Sequence, residues 1–263
     1  MPVSVGAIDR TEPKGAQAIH RAMSLLAVVG RNNTHGIRLK ELAAQTGLHV
    51  ATAHRLLNAL AWNGMVIFDG FSKRYYLGVQ VHALIDATRY GGIQPRLASL
   101  MEKLARRMAA VIYAYLPLMN DIISIKRVGS KDTVLHDTGI GDGVRYPLGI
   151  GAAGVAILAT MPPEQARAIA ASNSERYAEY HTGTAAVLQA VRSARQTGYG
   201  LNQGVIHNTF GIGTVIRNSR GEVSAAISAV YSVEALGDRR LQKMAGILLR
   251  EVKAFEPLEF PSA

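Results

Sequence analysis

The side chains best equipped for recognition chemistry lie between Leu39 and Asn63, in LKELAAQTGLHVATAHRLLNALAWN. At helical spacing Thr52, His54, Arg55 and Asn58 turn away from an apolar stripe of Val50, Ala53, Leu56, Leu57 and Leu60, and His49 stands just ahead of them. Hydrogen-bonding groups beside an arginine are what base edges and phosphates require. Shortly afterwards Lys73 and Arg74 stand together between two strand-like runs, Met65-Val66-Ile67-Phe68 and Tyr75-Tyr76-Leu77. A solvated helix face and a solvated charge pair would account for the same letters. Their order favours contact with nucleic acid, because a basic hairpin directly after such a helix is a wing beside a recognition helix.

Those side chains need a frame. Leu39, Leu42 and Ala43 predict a first helix, broken at Thr46-Gly47-Leu48, where Gly47 suits the positive φ of a helix-turn-helix corner. Ahead of it, Ala16 to Val29 reads as a helix with Ile19, Ala22, Met23, Leu26 and Val29 as its core stripe; residues 1–15 read as a flexible tail. Gly78 to Tyr90 resumes a helical pattern and is stopped by Gly91-Gly92. The expected organisation is a DNA-binding domain over 16–78, a linker helix over 79–92 and a second domain over 93–257.

The second domain mixes strand and helix signals. Helices are predicted over Pro95 to Met108, Ala152 to Thr160, from Pro162-Pro163-Glu164, over Thr184 to Gln196 and over Leu236 to Phe255. Strands are predicted over Val111 to Leu118, Ile122 to Val128, Thr133 to Asp137, Gly211 to Asn218 and Val223 to Tyr231. This order fits a largely antiparallel sheet with helices, an α+β class, rather than repeated βαβ units.

The chain has 263 residues, a net charge of +10 and no cysteine. The first 90 residues hold ten Lys and Arg against five Asp and Glu, with five of the eight histidines, so charge density is concentrated there. A small basic module points to a polyanionic partner. Without cysteine there is no disulfide, thiolate nucleophile or zinc-cysteine site. Residues 1–15 carry Asp9, Arg10, Glu12 and Lys14 and no apolar core of a secretory signal. No uncharged run makes a plausible span, so the chain is expected to be soluble, cytoplasmic and without a membrane partner.

Gly149-Ile150-Gly151-Ala152-Ala153-Gly154 matches the dinucleotide fingerprint letter for letter. That fold needs a second strand after the helix, with an acidic residue near its end; here Pro162-Pro163 and another helix follow. Two readings remain: amides at a helix start that hold a carboxylate, or small residues that let helix and sheet pack closely. No nucleophile elbow is present, and His136, His181 and His207 lie in separate segments without ligand spacing. Neither an enzyme, a metal nor a cofactor is expected.

The order Ala18-Ile19-His20-Arg21-Ala22-Met23-Ser24-Leu25-Leu26, the helix-turn-helix, the wing ending Arg74-Tyr75-Tyr76-Leu77-Gly78, Pro147-Leu148, Pro162-Pro163-Glu164, Thr197-Gly198-Tyr199-Gly200 and Val223 to Ser228 resembles the IclR family of bacterial transcription regulators over about residues 16 to 250. The resemblance implies a winged helix-turn-helix, a linker helix and a GAF-like effector-binding domain, in dimers or dimers of dimers on palindromic operators. It makes Thr52, His54 and Arg55 recognition-helix contacts. Positions often Pro-Lys-Ser in the family are His49-Val50-Ala51 here, so the operator does not transfer. The family's effector positions fall on Ala152, Ala153, Asn202, Thr209, Phe210, Gly211, Ser228 and Val230, with Leu135, Thr138 and Tyr146 at the mouth. Asn in place of an acid, Gly in place of Cys and an added Phe imply a less polar pocket. No basic pocket residue is evident. The effector expected is a carboxylate with an apolar or aromatic body, its acid group at the Ala152-Ala153 amides or Ser228. Its binding would reach the DNA through the linker helix. A ligand-independent architectural DNA-binding protein and an enzyme using the second domain are the alternatives.

Overall fold

A computed structural model describes residues 16–86, 94–129, 143–206, 209–232 and 238–258. The chain divides into two compact units, Met1–Gly91 and Gly92–Ala263.

In the first unit α1 (Gln17–Arg31), α2 (Leu39–Thr46) and α3 (Val50–Trp62) pack around Leu25, Val28, Val29, Ile37, Leu42, Ala43, Ala53 and Leu57. The α1 stripe differs from expectation. Leu25, Val28 and Val29 face the core, whereas Ile19 and Met23 are 68% and 56% exposed. The helix carries apolar residues on more than one side, and only the side meeting α2 and α3 is covered within this unit. Val50 on α3 is likewise exposed, because it stands at the helix's first position. Gly47 closes α2 at φ 65°, as the turn demands. The wing is an antiparallel hairpin of β1 (Val66–Asp69) and β2 (Arg74–Leu77), extended by a bridge between Ile37 and Tyr75. Gly78 is required at the wing's base: a Cβ there would lie 2.0 Å from the Gly64 carbonyl oxygen. A helix, α4 (Val79–Asp86), follows; the rest of the expected linker, 87–92, lies outside the described residues.

The second unit is a six-stranded antiparallel sheet in the order β5-β4-β3-β8-β7-β6. Its strands are β3 (Val111–Leu118), β4 (Asp121–Val128), β5 (Arg145–Pro147), β6 (Gly200–Gln203), β7 (Thr209–Arg217) and β8 (Val223–Ser232). Helices α5 (Gln94–Met108) and α10 (Asp238–Phe255) cover one face, packing Leu97, Met101 and Leu248 against Ile112, Ile212 and Ile227. On the other face lies α6 (Gly151–Thr160), with α7 (Pro163–Ser172) and α9 (Thr184–Thr197) beyond it and the short α8 (Ser174–Tyr177) between them in sequence. The strand expected at Thr133 to Asp137 lies outside the described residues. The edge strands β5 and β6 were not predicted.

Close packing explains the glycines of the fingerprint segment's surroundings. A Cβ on Gly200 would lie 2.2 Å from the Ala152 carbonyl oxygen, and one on Gly213 2.7 Å from the Ala153 nitrogen. The backbone of α6 thus rests directly on β6 and β7. Arg195 closes the far end of α6, donating to the Ala159 and Met161 carbonyls at 3.2 and 2.8 Å. At the opposite edge the buried Asp121 carboxylate is clasped by Arg145 at 2.5 Å and Arg176 at 2.6 Å, which ties β4 to β5 and α8.

Candidate functional site

Each unit carries one candidate surface. On α3, Ala53 and Leu57 are buried, so His54, Arg55 and Asn58 are turned to solvent on the helix's other side, and Thr52 is half-buried at its flank. His49 is exposed at the helix N-cap with extended backbone. At the wing tip, Asp69 accepts from the amides of Phe71 and Ser72 at 2.9 and 3.2 Å and from the Ser72 hydroxyl at 2.5 Å. These bonds, the Ser72 hydroxyl first, hold its carboxyl below the usual aspartate range. They fix a tip that presents exposed Lys73, with φ 56°, and Phe71, 99% exposed. Arg74 is half-buried: its Nη1 donates to the Gly36 carbonyl at 2.8 Å, bracing the wing against the turn before α2. An exposed donor-bearing helix face beside a basic hairpin tip can lie against a duplex, the helix reading base edges and the wing following the backbone.

The second surface is the α6 face of the six-stranded sheet. Ala152 and Ala153 sit buried in the first turn of α6, where no side chain caps the helix among the described residues. Gly211 lies beside them: a Cβ there would meet the Ala152 and Asn202 Cβ atoms at 3.5 and 3.6 Å. Val230, Ala226 and Tyr146 belong to the core on this side. Ser228 stands opposite Tyr113 of that core, and its Oγ lies 3.5 Å from the Tyr115 Oη, the outer limit of a hydrogen bond. Burial pushes the phenols of Tyr115 and Tyr146 up, so both stay protonated.

Thr209 and Asn202 share a buried contact near the sheet's β6 edge. The Thr209 hydroxyl donates to the Ile206 carbonyl at 2.5 Å. Its one proton is thereby committed, and its oxygen can only accept from Asn202 Nδ2, 3.4 Å away. The Asn202 Oδ1 is left buried without a partner among the described residues. A buried acceptor without a donor carries a desolvation cost that a donor would relieve.

Phe210 is a correction. It packs into the opposite core, with Ile212, Tyr231 and the α10 residues, because it alternates with Thr209 and Gly211 along β7. It does not line the α6 face. Leu135 and Thr138 lie outside the described residues.

Sequence reasoning missed Arg127. A bulge between Ala114 and Tyr115 sets Tyr115 opposite Ser124 but Tyr113 opposite Arg127, one residue more on β4 than on β3. Arg127 therefore shares the face of Tyr113, with its guanidinium carbon 6.0 Å from the ring centroid. Its Nε and Nη2 are buried and lack a partner among the described residues. A face with Arg127, Ser228 and Asn202 and without Phe210 is more polar than expected. Among the described residues no cluster of His, Asp and Glu could hold a metal, and no helix is long and apolar enough to cross a membrane.

A winged helix-turn-helix joined to a separate helix-covered antiparallel sheet is the architecture of a DNA-binding module that carries a second α+β domain, and what that domain does has to come from its site and its relatives. Two family models match: the IclR helix-turn-helix domain over residues 18–70 and the bacterial transcriptional regulator IclR C-terminal domain over 87–255. The chain belongs to the IclR family of transcriptional regulators, and it is a regulator rather than an enzyme. An HTH-type transcriptional regulator of Mycobacterium tuberculosis is 26% identical over 91% of both chains. The regulator BhcR of Paracoccus denitrificans is 24% identical over 94% of this chain and 89% of its own. Among solved structures, an IclR homolog of Microbacterium hydrocarbonoxydans complexed with 4-hydroxybenzoate shares the fold at a TM-score of 0.70 and 19% identity, covering 91% of this chain and 97% of that one. The IclR regulator of Alicyclobacillus acidocaldarius does so at 0.68 and 17%, with the same coverage.

Proposed function

We propose that this regulator binds a palindromic operator as a homodimer or dimer of dimers in the cytoplasm, and that a small organic carboxylate on the α6 face sets its affinity for DNA. The exposed row His54, Arg55 and Asn58 on α3 carries the DNA reading, with Thr52 and His49 at its margin and Lys73 at the wing tip as a phosphate contact. Arg74 has a bracing role and would add its charge to the backbone contacts. Exposed Ile19 and Met23 on α1, with Val79 and Leu84 on α4, supply apolar surface for a second copy.

The unpartnered Asn202 Oδ1 supports a ligand that brings a hydrogen-bond donor. The ligand would lie among Ser228, Val230, Gly211, Tyr146 and the start of α6 at Ala152 and Ala153. A hydroxylated aromatic acid has this chemistry, and 4-hydroxybenzoate, found with the Microbacterium homolog, is a reasonable first probe. Residues 79–92 would carry the coupling from one domain to the other.

Selection of duplexes from a random pool, with the full chain at low and moderate salt, tests the DNA half. Enrichment of a palindrome whose affinity falls steeply with salt supports it, and a pool that stays random contradicts it. A thermal-shift screen of carboxylates tests the effector half. A specific ligand at about a hundred times its dissociation constant stabilises by roughly 2.7 kcal/mol.

A further inference from the structure

An arginine whose guanidinium nitrogens are buried without acceptors is costly. It cannot relieve that cost by losing its proton, as a buried lysine can, because the guanidinium stays charged at any ordinary pH. Arg127 is in this position, with Nε and Nη2 both inaccessible and unpartnered among the described residues. Its own strand gives no counter-charge on this face: Asp121, the buried carboxylate of β4, is occupied by Arg145 and Arg176 at the strand's other end. The opposed Tyr113 ring offers only a weak cation–π attraction at 6.0 Å.

The neighbouring strands place this guanidinium in a row. Arg127 opposes Tyr113, Tyr113 opposes Ser228, and Ser228 opposes Gly213, the glycine on which α6 rests. The row runs from a fixed positive charge at β4 to the start of α6 and continues to Gly200 on β6; the orphaned acceptor of Asn202 stands two residues along that strand, opposite Gly211. An anionic oxygen would be repelled by the Asn202 carbonyl oxygen and attracted by Arg127. We infer that Arg127 anchors the carboxylate of the effector, its fork meeting the two acid oxygens, while the uncharged part of the ligand points along the row toward Ser228; Asn202, four strand spacings from β4, is reached only by a longer ligand. This rests on the effector reading given above and deepens it: the acid end lies at β4 and not at the α6 amides.

The test uses the full chain and its Arg127→Gln, Arg127→Lys and Arg127→Leu variants, melted alone and with acids paired to their neutral amides: benzoate and benzamide, 4-hydroxybenzoate and 4-hydroxybenzamide, phenylacetate and phenylacetamide. An acid should raise the wild-type midpoint where its amide does not. Arg127→Gln should weaken that acid roughly tenfold or more, and Arg127→Lys should retain part of the binding. Without ligand, Arg127→Leu should melt at or above the wild-type midpoint, because it removes an unpartnered buried charge.

An acid that binds Arg127→Gln as well as wild type leaves the effector reading standing and overturns the anchor. So does an amide that binds as well as its acid. A ligand-free Arg127→Leu that melts several degrees low shows a guanidinium already partnered within the protein, and also overturns the anchor. If no acid or amide moves the wild type while ligand-free Arg127→Leu is stable, the effector reading fails first and takes the anchor with it.

Discussion

Ala152 lies against Gly213 so closely that a methyl group on Gly213 would come within 2.7 Å of the Ala152 carbonyl carbon. That contact sets the height of α6 above the sheet, and with it the position of the proposed ligand. Gly213→Ala must push the helix start away or strain the strand, at about 1–3 kcal/mol for an overpacked core. We expect a lower urea midpoint for the second domain, weakened effector binding and unchanged affinity for DNA without effector. An unchanged midpoint would mean that α6 is free to move.

Asn202 contributes an acceptor whose direction is imposed by Thr209. Asn202→Leu keeps the approximate volume and removes the acceptor. Calorimetry should show an acid with a hydroxyl group losing about 0.5–1.5 kcal/mol, the ordinary net worth of one hydrogen bond, while the same acid without the hydroxyl keeps its affinity. An equal loss for both would assign Asn202 to packing.

Arg55 is exposed on α3, with no ion pair to hold it among the described residues. Arg55→Ala should cost roughly 1–3 kcal/mol on a selected duplex and relax the preference at one base pair, if the side chain reads a base. Lys73→Ala should weaken selected and random duplexes alike and reduce the salt slope by about one. Fluorescence anisotropy against both duplexes at several salt concentrations separates the two outcomes.

Tyr177 is fully buried, and its hydroxyl donates to the Leu148 carbonyl at 2.5 Å beneath the start of α6. Burial pushes its phenol up to about 12. The raised value means that the folded state holds the proton more tightly than the unfolded chain, whose tyrosines titrate near 10. Its contribution is whole below pH 10 and is lost as pH rises from 10 to 12. Tyr177→Phe should lose about 0.5–1.5 kcal/mol at neutral pH and show a shallower decline over that window, with Tyr231, also pushed up to about 12, supplying part of the remainder. Unfolding midpoints at pH 7, 10 and 11.5 check this.

The helix-turn-helix was legible because its signals are local. Gly47 in the turn and the apolar letters of α2 and α3 depend only on neighbours along the chain. Strands β3, β7 and β8 were legible for a related reason: each is a run of eight or more residues, mostly apolar and buried on both faces, bounded by turn residues. At three and four residues, β5 and β6 are too short to show a period. The exposed Ile19 and Met23 show a different limit: an apolar stripe does not say which part of it finds a partner in the same unit.

The pocket was less legible than the fold. Alignment to a motif placed Phe210 there, but the pleat turns it to the α10 side while Thr209 and Gly211 face α6. Arg127 was hidden by the opposite effect. Counting by twos from Ile122 puts it with Ile123 and Ile125, on the α5 and α10 face. The bulge inserts one residue and reverses every later side chain on β4, so that Arg127 stands over Tyr113. A single sequence carries no sign of that insertion.

Linkage makes effector control of DNA binding measurable in one titration. A duplex selected by the full chain should be titrated with and without a saturating carboxylate identified by thermal shift, and the carboxylate titrated with and without the duplex. DNA affinity should change roughly 5–150-fold, and ligand affinity by the same factor. DNA affinity that stays the same at saturating ligand would contradict effector control and leave a DNA-binding protein whose second domain does not sense.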